Sequence, residues 1–235
     1  MLMRSVILKE FHLENPSPYF TDYVRRLTDM PMLVRLEADD KGYEPKYFLR
    51  ASELNDNFGE DNNPDWKTLA WDELSDGLMV PNGSVGFRWD GSKKWNLETR
   101  AQDKDVQAAL SLKANSDQVV RVGFPYFGSE HDELIYRKVP VKRITLANGE
   151  TALVATVFDL MVANYGVDNG LDDENAARSY DEDKPYTPKW QEKHTGVKPE
   201  LVIQVAREFA QNAHDTEGRS TVIVGAGLTH WHHMD

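Results

Sequence analysis

The chain has 235 residues, with 27 basic and 39 acidic side chains and a formal charge of −12. This charge excludes nucleic-acid binding driven by bulk electrostatics, and 40% hydrophobic with 28% charged residues predicts a globular chain. The absence of cysteine excludes disulfides, thiolate metal sites and a cysteine nucleophile within the chain. No apolar run approaches the roughly 18 residues of a membrane-spanning helix, so we expect no direct membrane insertion.

The first segment, residues 1–58, is predicted to be mixed α/β. Apolar residues at helical spacing predict a helix over residues 19–27. Pro31 ends this helix, and residues 32–36 are predicted to form a short, largely buried strand. Residues 55–65 are dominated by turn-forming side chains, which indicates a surface loop.

The second segment, residues 59–150, is predicted to be rich in strands and loops. Short β-like runs separated by turn signals occur at residues 78–80, 85–89 and 119–122. Asn148-Gly149 separates two alternating runs, residues 141–146 and 151–157, which predicts a β-hairpin with a type I′ turn.

The third segment, residues 151–235, is predicted to be helical and α/β. A short helix is expected over residues 158–165, and the acidic run at 168–183 is expected to be a solvated loop. Thr187 and Pro188 are typical of a helix start, and Gly196 ends that helix.

A longer helix is predicted to begin at Pro199. One apolar stripe is expected to be buried along it, formed by Leu201, Val202, Val205, Ala206, Phe209 and Ala213. After a turn, residues 221–224 are almost wholly apolar, as in a strand buried within a parallel sheet. Helix, strand and the glycine loop that follows make up half of an α/β unit.

The glycine loop is the first candidate binding feature. Gly225-Ala226-Gly227 directly after a strand would let the backbone approach a phosphate or nucleotide closely. The loop does not match the dinucleotide-binding fingerprint, because His230 occupies the position of the third glycine. A tight turn that needs positive φ is the alternative.

Polar aromatic residues follow the loop directly. In an extended chain His230 and His232 would lie on one side, as metal ligation requires, but no third ligand is indicated nearby. His230, His233 and Trp231 are equally suited to hydrogen bonding and stacking on a planar heterocycle. An exposed cluster without a role is the remaining alternative. Neither a nucleophile elbow nor a P-loop motif occurs, so no catalytic and no metal-binding residue is predicted.

Blocks of sequence along nearly the whole chain resemble the catalytic alpha subunit of membrane-associated respiratory nitrate reductase. They are EFHLENPS at residues 10–17, YFTDYVRR at 19–26, TDMPMLV at 28–34, NNPDWK at 62–67, PNGSVGFRW at 81–89 and VGFPYFG at 122–128. The blocks YTP at 186–188, TGV at 195–197, AREFA at 206–210 and VGAGL at 224–228 are similar to the wider dimethyl-sulfoxide-reductase class of molybdopterin enzymes.

The resemblance implies a mixed α/β fragment of a molybdopterin oxidoreductase that reduces nitrate to nitrite. Its cofactor would be molybdenum bis(molybdopterin guanine dinucleotide), with electrons passed from quinol by a membrane gamma subunit and an iron-sulfur beta subunit. The family's alpha subunit also carries a [4Fe-4S] cluster and an aspartate that ligates molybdenum. The cluster ligands and this aspartate are expected outside this chain, which is then an internal fragment of the subunit. The complex is expected on the cell membrane, facing the cytoplasm.

The resemblance also implies which residues bind the cofactor. Gly225, Ala226, Gly227, Thr229, His230 and Trp231 match the loop that approaches the pterin in this class. Thr229 stands where relatives are expected to have an amide, and His232 where they are expected to have an aromatic residue. Two alternatives remain: another molybdopterin reductase of the selenate or chlorate type, and a non-catalytic interaction module that retains the scaffold. As an isolated segment the chain is expected to be inactive and prone to aggregation.

Overall fold

A computed structural model of the chain describes residues 2–59, 63–82, 99–129, 133–223 and 225. The mixed α/β class that the sequence predicts is confirmed. In chain order the strands are β1 (Leu33–Ala38), β2 (Tyr43–Phe48), β3 (Ala70–Asp72), β4 (Gly77–Met79), β5 (Arg100–Ala101), β6 (Lys104–Asp105), β7 (Gln118–Pro125), β8 (Leu134–Thr145) and β9 (Thr151–Thr156). The α-helices are α1 (Leu2–Ile7), α2 (Pro18–Leu27), α3 (Val157–Asn164), α4 (Pro188–Thr195) and α5 (Pro199–Asp215). A π-helix spans Leu8–Glu14, and short 3-10 helices span Ala51–Leu54, Pro64–Trp66 and Lys113–Asn115.

Five strands close into a barrel in the order β1-β2-β7-β8-β9, with β9 returning to β1. All neighbours are antiparallel except β2 and β7, which meet in parallel through the pair Tyr43 and Val122. The barrel draws strands from all three of the segments described above, so the limits of those segments stay a prediction. β3–β4 and β5–β6 form separate two-stranded sheets.

Apolar side chains of the barrel pack into two clusters on opposite faces of its strands. Leu33 and Val34, adjacent on β1, belong to different clusters because successive strand residues point to opposite faces. The Val34 cluster includes Leu160 and Ala163, so α3 packs directly on the barrel. The Leu33 cluster extends to the segments that precede β3 and β7, through the buried residues Leu49, Leu69 and Leu112.

The predicted hairpin is confirmed as β8 and β9, but its turn type was wrong. Gly149 has φ of 84°, whereas Asn148 is not among the residues with positive φ, and a type I′ turn needs both. The Leu146 carbonyl accepts the Gly149 N–H at 2.9 Å, and the Leu146 N–H donates to Glu150 O at 2.8 Å. This is a three-residue loop, in which only the last residue must be left-handed.

The predicted helices are confirmed as α2, α3, α4 and α5. In α4, the Thr187 hydroxyl accepts the Trp190 N–H at 3.0 Å and Gly196 ends the helix with φ of 72°. The stripe predicted along α5 is buried at Val202, Ala206 and Ala213 and partly buried at Phe209.

Two of the residues predicted for that stripe are exposed. Leu201 is 53% exposed and Val205 is 44% exposed. At 100° per residue these two side chains lie on a flank of α5, roughly a quarter turn from the buried residues. The prediction of one continuous buried stripe was therefore wrong.

The predicted buried strand at 221–224 is also wrong for its described part. Residues 221–223 are not in a strand, and Val222 and Ile223 are 68% and 89% exposed. A parallel strand needs neighbours on the sheet, and no described strand lies beside this segment. Residue 224 lies outside the described residues.

The other predicted elements match in part. The strand predicted at 32–36 is confirmed as β1, and those at 78–80 and 119–122 overlap β4 and β7. The described part of the 55–65 loop holds turns and the start of the 3-10 helix Pro64–Trp66. The strand predicted at 85–89 lies outside the described residues. Strand β2 was not predicted.

The acidic run has neither helix nor strand, as predicted, but it is not simply solvated. Asp173 is 8% exposed, and its carboxylate accepts the Lys138 N–H of β8 at 2.6 Å. The run therefore packs against the barrel. Across the described residues, no helix is long and apolar enough to cross a bilayer.

Candidate functional site

Most of the predicted cofactor loop lies outside the described residues. Gly225 is described and exposed, and a Cβ added there would meet no atom of the described residues within 4 Å. Its φ is not in the left-handed region, so a turn that needs positive φ is not seen at Gly225 itself. Ala226, Gly227, Thr229, His230 and Trp231 are not among the described residues, so their cofactor contacts stay a prediction.

The segment that leads to the loop is held against the end of α5. The Asn212 amide donates to Arg219 O at 3.1 Å and to the Ser220 hydroxyl at 2.8 Å. Ser220 Oγ in turn donates to Phe209 O at 3.0 Å. These bonds fix residues 219–220 beside α5, and the exposed residues 221–223 follow directly.

The side chains that could act as metal ligands limit which cofactors the chain could hold. The chain has no cysteine, so it supplies no ligand set of the thiolate kind that iron-sulfur clusters use. Within the described ranges no group of three His, Asp or Glu side chains could hold a metal ion. The described side chains therefore do not fit a metal centre of their own.

A separate cleft of about 720 Å³ lies between the π-helix, α2, α3 and the segment that precedes β7. Polar side chains on its walls include His12, Ser111, Lys113, Asp159 and Asp168. Apolar side chains of Leu13, Leu110, Phe158 and Val162 complete the lining. The sequence predicted no site here.

Asp159 is the most perturbed carboxyl of this cleft. Thr156 caps α3, since its hydroxyl accepts the Asp159 N–H at 3.0 Å, and the same hydroxyl donates to Leu110 O at 2.7 Å. The Asp159 carboxylate accepts the Leu112 N–H at 2.8 Å and is 2% exposed. Burial raises the pKa of Asp159 to about 6, against hydrogen bonds from Ser111 and Leu112 that favour the charged form. The pattern Thr-x-x-Asp at 156–159 is the signal that could have identified this residue.

His12 lies on the π-helix, with its ring 5.3 Å from Phe20 and 6.0 Å from Phe158, centroid to centroid. Burial lowers the pKa of its imidazole, so the neutral form is favoured. With a neutral imidazole and a carboxyl that titrates near pH 6, the cleft is suited to hydrogen bonding. No pattern in the sequence distinguishes His12.

Arg137 of β8 is a third residue that the sequence did not single out. It is 1% exposed and donates to Ala163 O at 3.1 Å, Asn164 O at 2.7 Å and Asn175 O at 3.1 Å. Burial lowers its pKa to about 10, opposed by the charge of Asp173. The guanidinium thus ties the end of α3, where helix carbonyls carry partial negative charge, to the acidic run.

Comparison with known proteins gives matches along the whole chain. It is 53% identical to respiratory nitrate reductase 1 alpha chain of Escherichia coli over 246 residues, covering 100% of this chain and 20% of that protein. The chain is a relative of nitrate reductase alpha chains. It is 41% identical to the Bacillus subtilis nitrate reductase alpha chain and 40% identical to the Mycobacterium tuberculosis alpha subunit, covering all of this chain and 19% of each relative.

The match is to a part of these relatives. The chain spans about a fifth of the length of the nitrate reductase alpha chains that it matches. No family model matches the chain.

Proposed function

We propose that this chain is part of the catalytic alpha subunit of a molybdenum-dependent respiratory nitrate reductase. The observation that carries the proposal is 53% identity over the whole chain to an alpha chain of that name. Relatives from two further organisms, at 40% and 41% identity, carry the same activity in their names. Within the larger subunit this segment contributes scaffold and part of the cofactor site.

The cofactor is molybdenum bis(molybdopterin guanine dinucleotide), which supplies the oxygen-atom transfer when bound. Residues 225–231 form the loop that approaches it, with backbone at Gly225 and Gly227 and side chains at Thr229, His230 and Trp231. The resemblance of residues 224–228 to the wider molybdopterin class supports this assignment. The lack of cysteine in this chain means that the [4Fe-4S] cluster is held elsewhere in the subunit.

The subunit acts with an iron-sulfur beta subunit and a membrane gamma subunit that oxidises quinol. We place it peripherally on the cell membrane, on the cytoplasmic side.

The test is an activity assay on the native polypeptide, captured from its source cells with an antibody raised against this sequence. A reduced dye supplies electrons, and nitrate, selenate and chlorate are offered in separate reactions. Nitrite formation with kcat/KM for nitrate above that for the other anions is the expected result. A preference for selenate or chlorate would assign another molybdopterin reductase, and no turnover of any anion would favour a non-catalytic module.

A further inference from the structure

We infer that Asn169 is a site of spontaneous deamidation. Two charged side chains, those of Asp168 and Lys113, contact the peptide group that joins it to the next residue. The reaction consumes only water, so the inference does not rest on the proposed function.

Deamidation at an Asn-Gly pair begins when the glycine backbone nitrogen attacks the side-chain amide carbon of the asparagine. A new C–N bond forms, the bond from that carbon to Nδ2 breaks, and ammonia leaves with the proton of the backbone N–H. Water then opens the resulting succinimide ring to aspartate or isoaspartate. Glycine favours the attack because it has no Cβ to obstruct the nitrogen.

The chain has three Asn-Gly pairs, at residues 82–83, 148–149 and 169–170. Because glycine follows the asparagine in each pair, differences between their rates in the folded protein report on the surroundings. The Asn82 side chain is held at both polar atoms: Nδ2 donates to Gln102 O at 3.0 Å, and Oδ1 accepts the Gln102 N–H at 2.8 Å. This amide is therefore not available to turn toward its own backbone.

The Asn148 side chain is held in the same way. Its Nδ2 donates to the Glu150 carboxylate at 2.8 Å, and its Oδ1 accepts the Glu150 N–H at 3.0 Å. The nitrogen that would attack it belongs to Gly149, whose N–H donates to the carbonyl of Leu146 at 2.9 Å. A neutral carbonyl does not take up that proton, so the second pair is protected at both reacting groups.

The third pair differs at both groups. Among the described residues the one hydrogen bond of Asn169 is accepted by its backbone oxygen, from Lys113 Nζ, and its side-chain amide makes none. The Gly170 N–H donates to Asp168 Oδ1 at 2.9 Å. The other oxygen of this carboxylate lies 4.0 Å from Arg178 Nε. The attacking N–H of the third pair therefore already faces a carboxylate that can act as a general base.

The two charges act on the two ends of one peptide group. As Asp168 takes the N–H proton, negative charge develops on the nitrogen and is shared with the carbonyl oxygen through amide resonance. The Lys113 ammonium donates to that oxygen and stabilises the charge, because hydrogen bonds between ionised groups are roughly twice as strong as neutral ones. A Cβ added at Gly170 would lie 2.9 Å from Lys113 Nζ, which shows how closely the ammonium approaches this peptide.

The product changes the cleft of about 720 Å³ described above. Lys113, Asp168 and Asn169 all line it. Aspartate or isoaspartate at position 169 thus adds a carboxylate to the wall of the cleft, beside an existing one.

Peptide mass spectrometry on the native, antibody-purified polypeptide tests the inference. The protein is incubated at neutral pH, folded or unfolded in urea, and fragment ions give the deamidation rate of each asparagine. In the folded protein Asn169 should deamidate at least about tenfold faster than Asn148, since a positioned base contributes at least that factor. In urea the two rates should be similar. A smaller ratio in the folded protein, or the same ratio in urea, overturns the inference.

Variants of the same polypeptide, expressed in its source cells, separate the charges from the fold. Asp168→Asn keeps an oxygen that can accept the Gly170 N–H but cannot take up its proton. Lys113→Gln keeps a hydrogen-bond donor without the charge. Each substitution should slow the deamidation of Asn169 at least about fivefold. An unchanged rate in either variant overturns the inference.

Matched controls are Asp103→Asn and Lys104→Gln, which make the same changes at exposed residues of the β5–β6 hairpin. Both controls should leave the rate at Asn169 unchanged, and a similar slowing in them would overturn the assignment to the two contacting side chains. If a variant does not accumulate, the comparison of Asn169 with Asn148 in the unsubstituted protein decides.

Discussion

Replacing Asp159 by asparagine should remove a pH dependence from the stability of the chain. The pKa of this carboxyl is about 6 in the folded chain, above its ordinary value of about 3.8, because burial disfavours its charged form. The folded state therefore binds more protons than the unfolded state between about pH 4 and pH 6. Over that window, stability falls as the pH rises, and it changes little with this group above or below it.

The magnitude follows from the difference of about 2 pKa units, which corresponds to about 3 kcal/mol of unfolding free energy. Urea denaturation of the Asp159→Asn variant and the unsubstituted chain at pH 4, 5, 6 and 7 measures it. The free energy of unfolding of the variant, relative to the unsubstituted chain, should rise by up to about 3 kcal/mol from pH 4 to pH 7. Asp103→Asn, which removes an exposed carboxyl, should show no such rise. A difference between Asp159→Asn and the unsubstituted chain that stays constant within about 0.5 kcal/mol would refute the burial argument.

Three further substitutions test the packing around the barrel by urea denaturation. Arg137→Met should lower the unfolding free energy by at least about 3 kcal/mol, because buried carbonyls lose a charged donor. Arg143→Met, at an exposed arginine of the same strand, should lower it by under about 1 kcal/mol. Similar losses in the two variants would contradict the role of Arg137. Gly166→Ala places a Cβ 2.6 Å from the Arg137 guanidinium at φ of 61° and should lower the unfolding free energy more than Gly196→Ala, where φ is 72° but no described atom lies within 4 Å of the added Cβ. The reverse order would be inconsistent with the packing. Thr187→Ala removes the cap of α4 and should cost about 1 kcal/mol, and no loss would show that the cap bond is not made in solution.

The sequence predicts those elements whose signals are local. The start of α4 at Thr187-Pro188 is one such element. The Ser17 hydroxyl caps α2 in the same way, by accepting the Phe20 N–H at 3.1 Å, although that helix was predicted from its apolar spacing alone. Asn148-Gly149 marks the hairpin correctly, because a glycine in the left-handed region suits every short hairpin loop. It does not distinguish two-residue from three-residue loops, since that depends on how the flanking strands twist.

The closure of the barrel could not be predicted in this way. Strand β2 contains Pro45, and its two exposed residues, Lys46 and Tyr47, are adjacent, so it lacks the alternation of a half-buried strand. Its parallel contact with β7 joins Tyr43 to Val122, and no local pattern encodes a pairing across so many residues. The burial of Asp173 in an otherwise polar run likewise depends on β8, which supplies the Lys138 N–H.

For the candidate site, the glycine loop can be read from the sequence, while its assignment to a pterin rests on resemblance. Residues 221–223 show the limit of pattern reasoning: their composition is that of a buried strand, but burial requires neighbours that the described chain does not provide. Leu201 and Val205 show the same limit on α5, where helical periodicity finds the apolar residues but not which of them this chain covers.

The most direct test of the proposed function is the molybdenum content of the native polypeptide. The polypeptide is purified from its source cells with an antibody against this sequence and analysed by elemental mass spectrometry. About one molybdenum per polypeptide is the predicted result, as expected for a subunit that carries one molybdopterin site. A metal-free polypeptide from cells that load molybdenum into other enzymes would contradict the proposal.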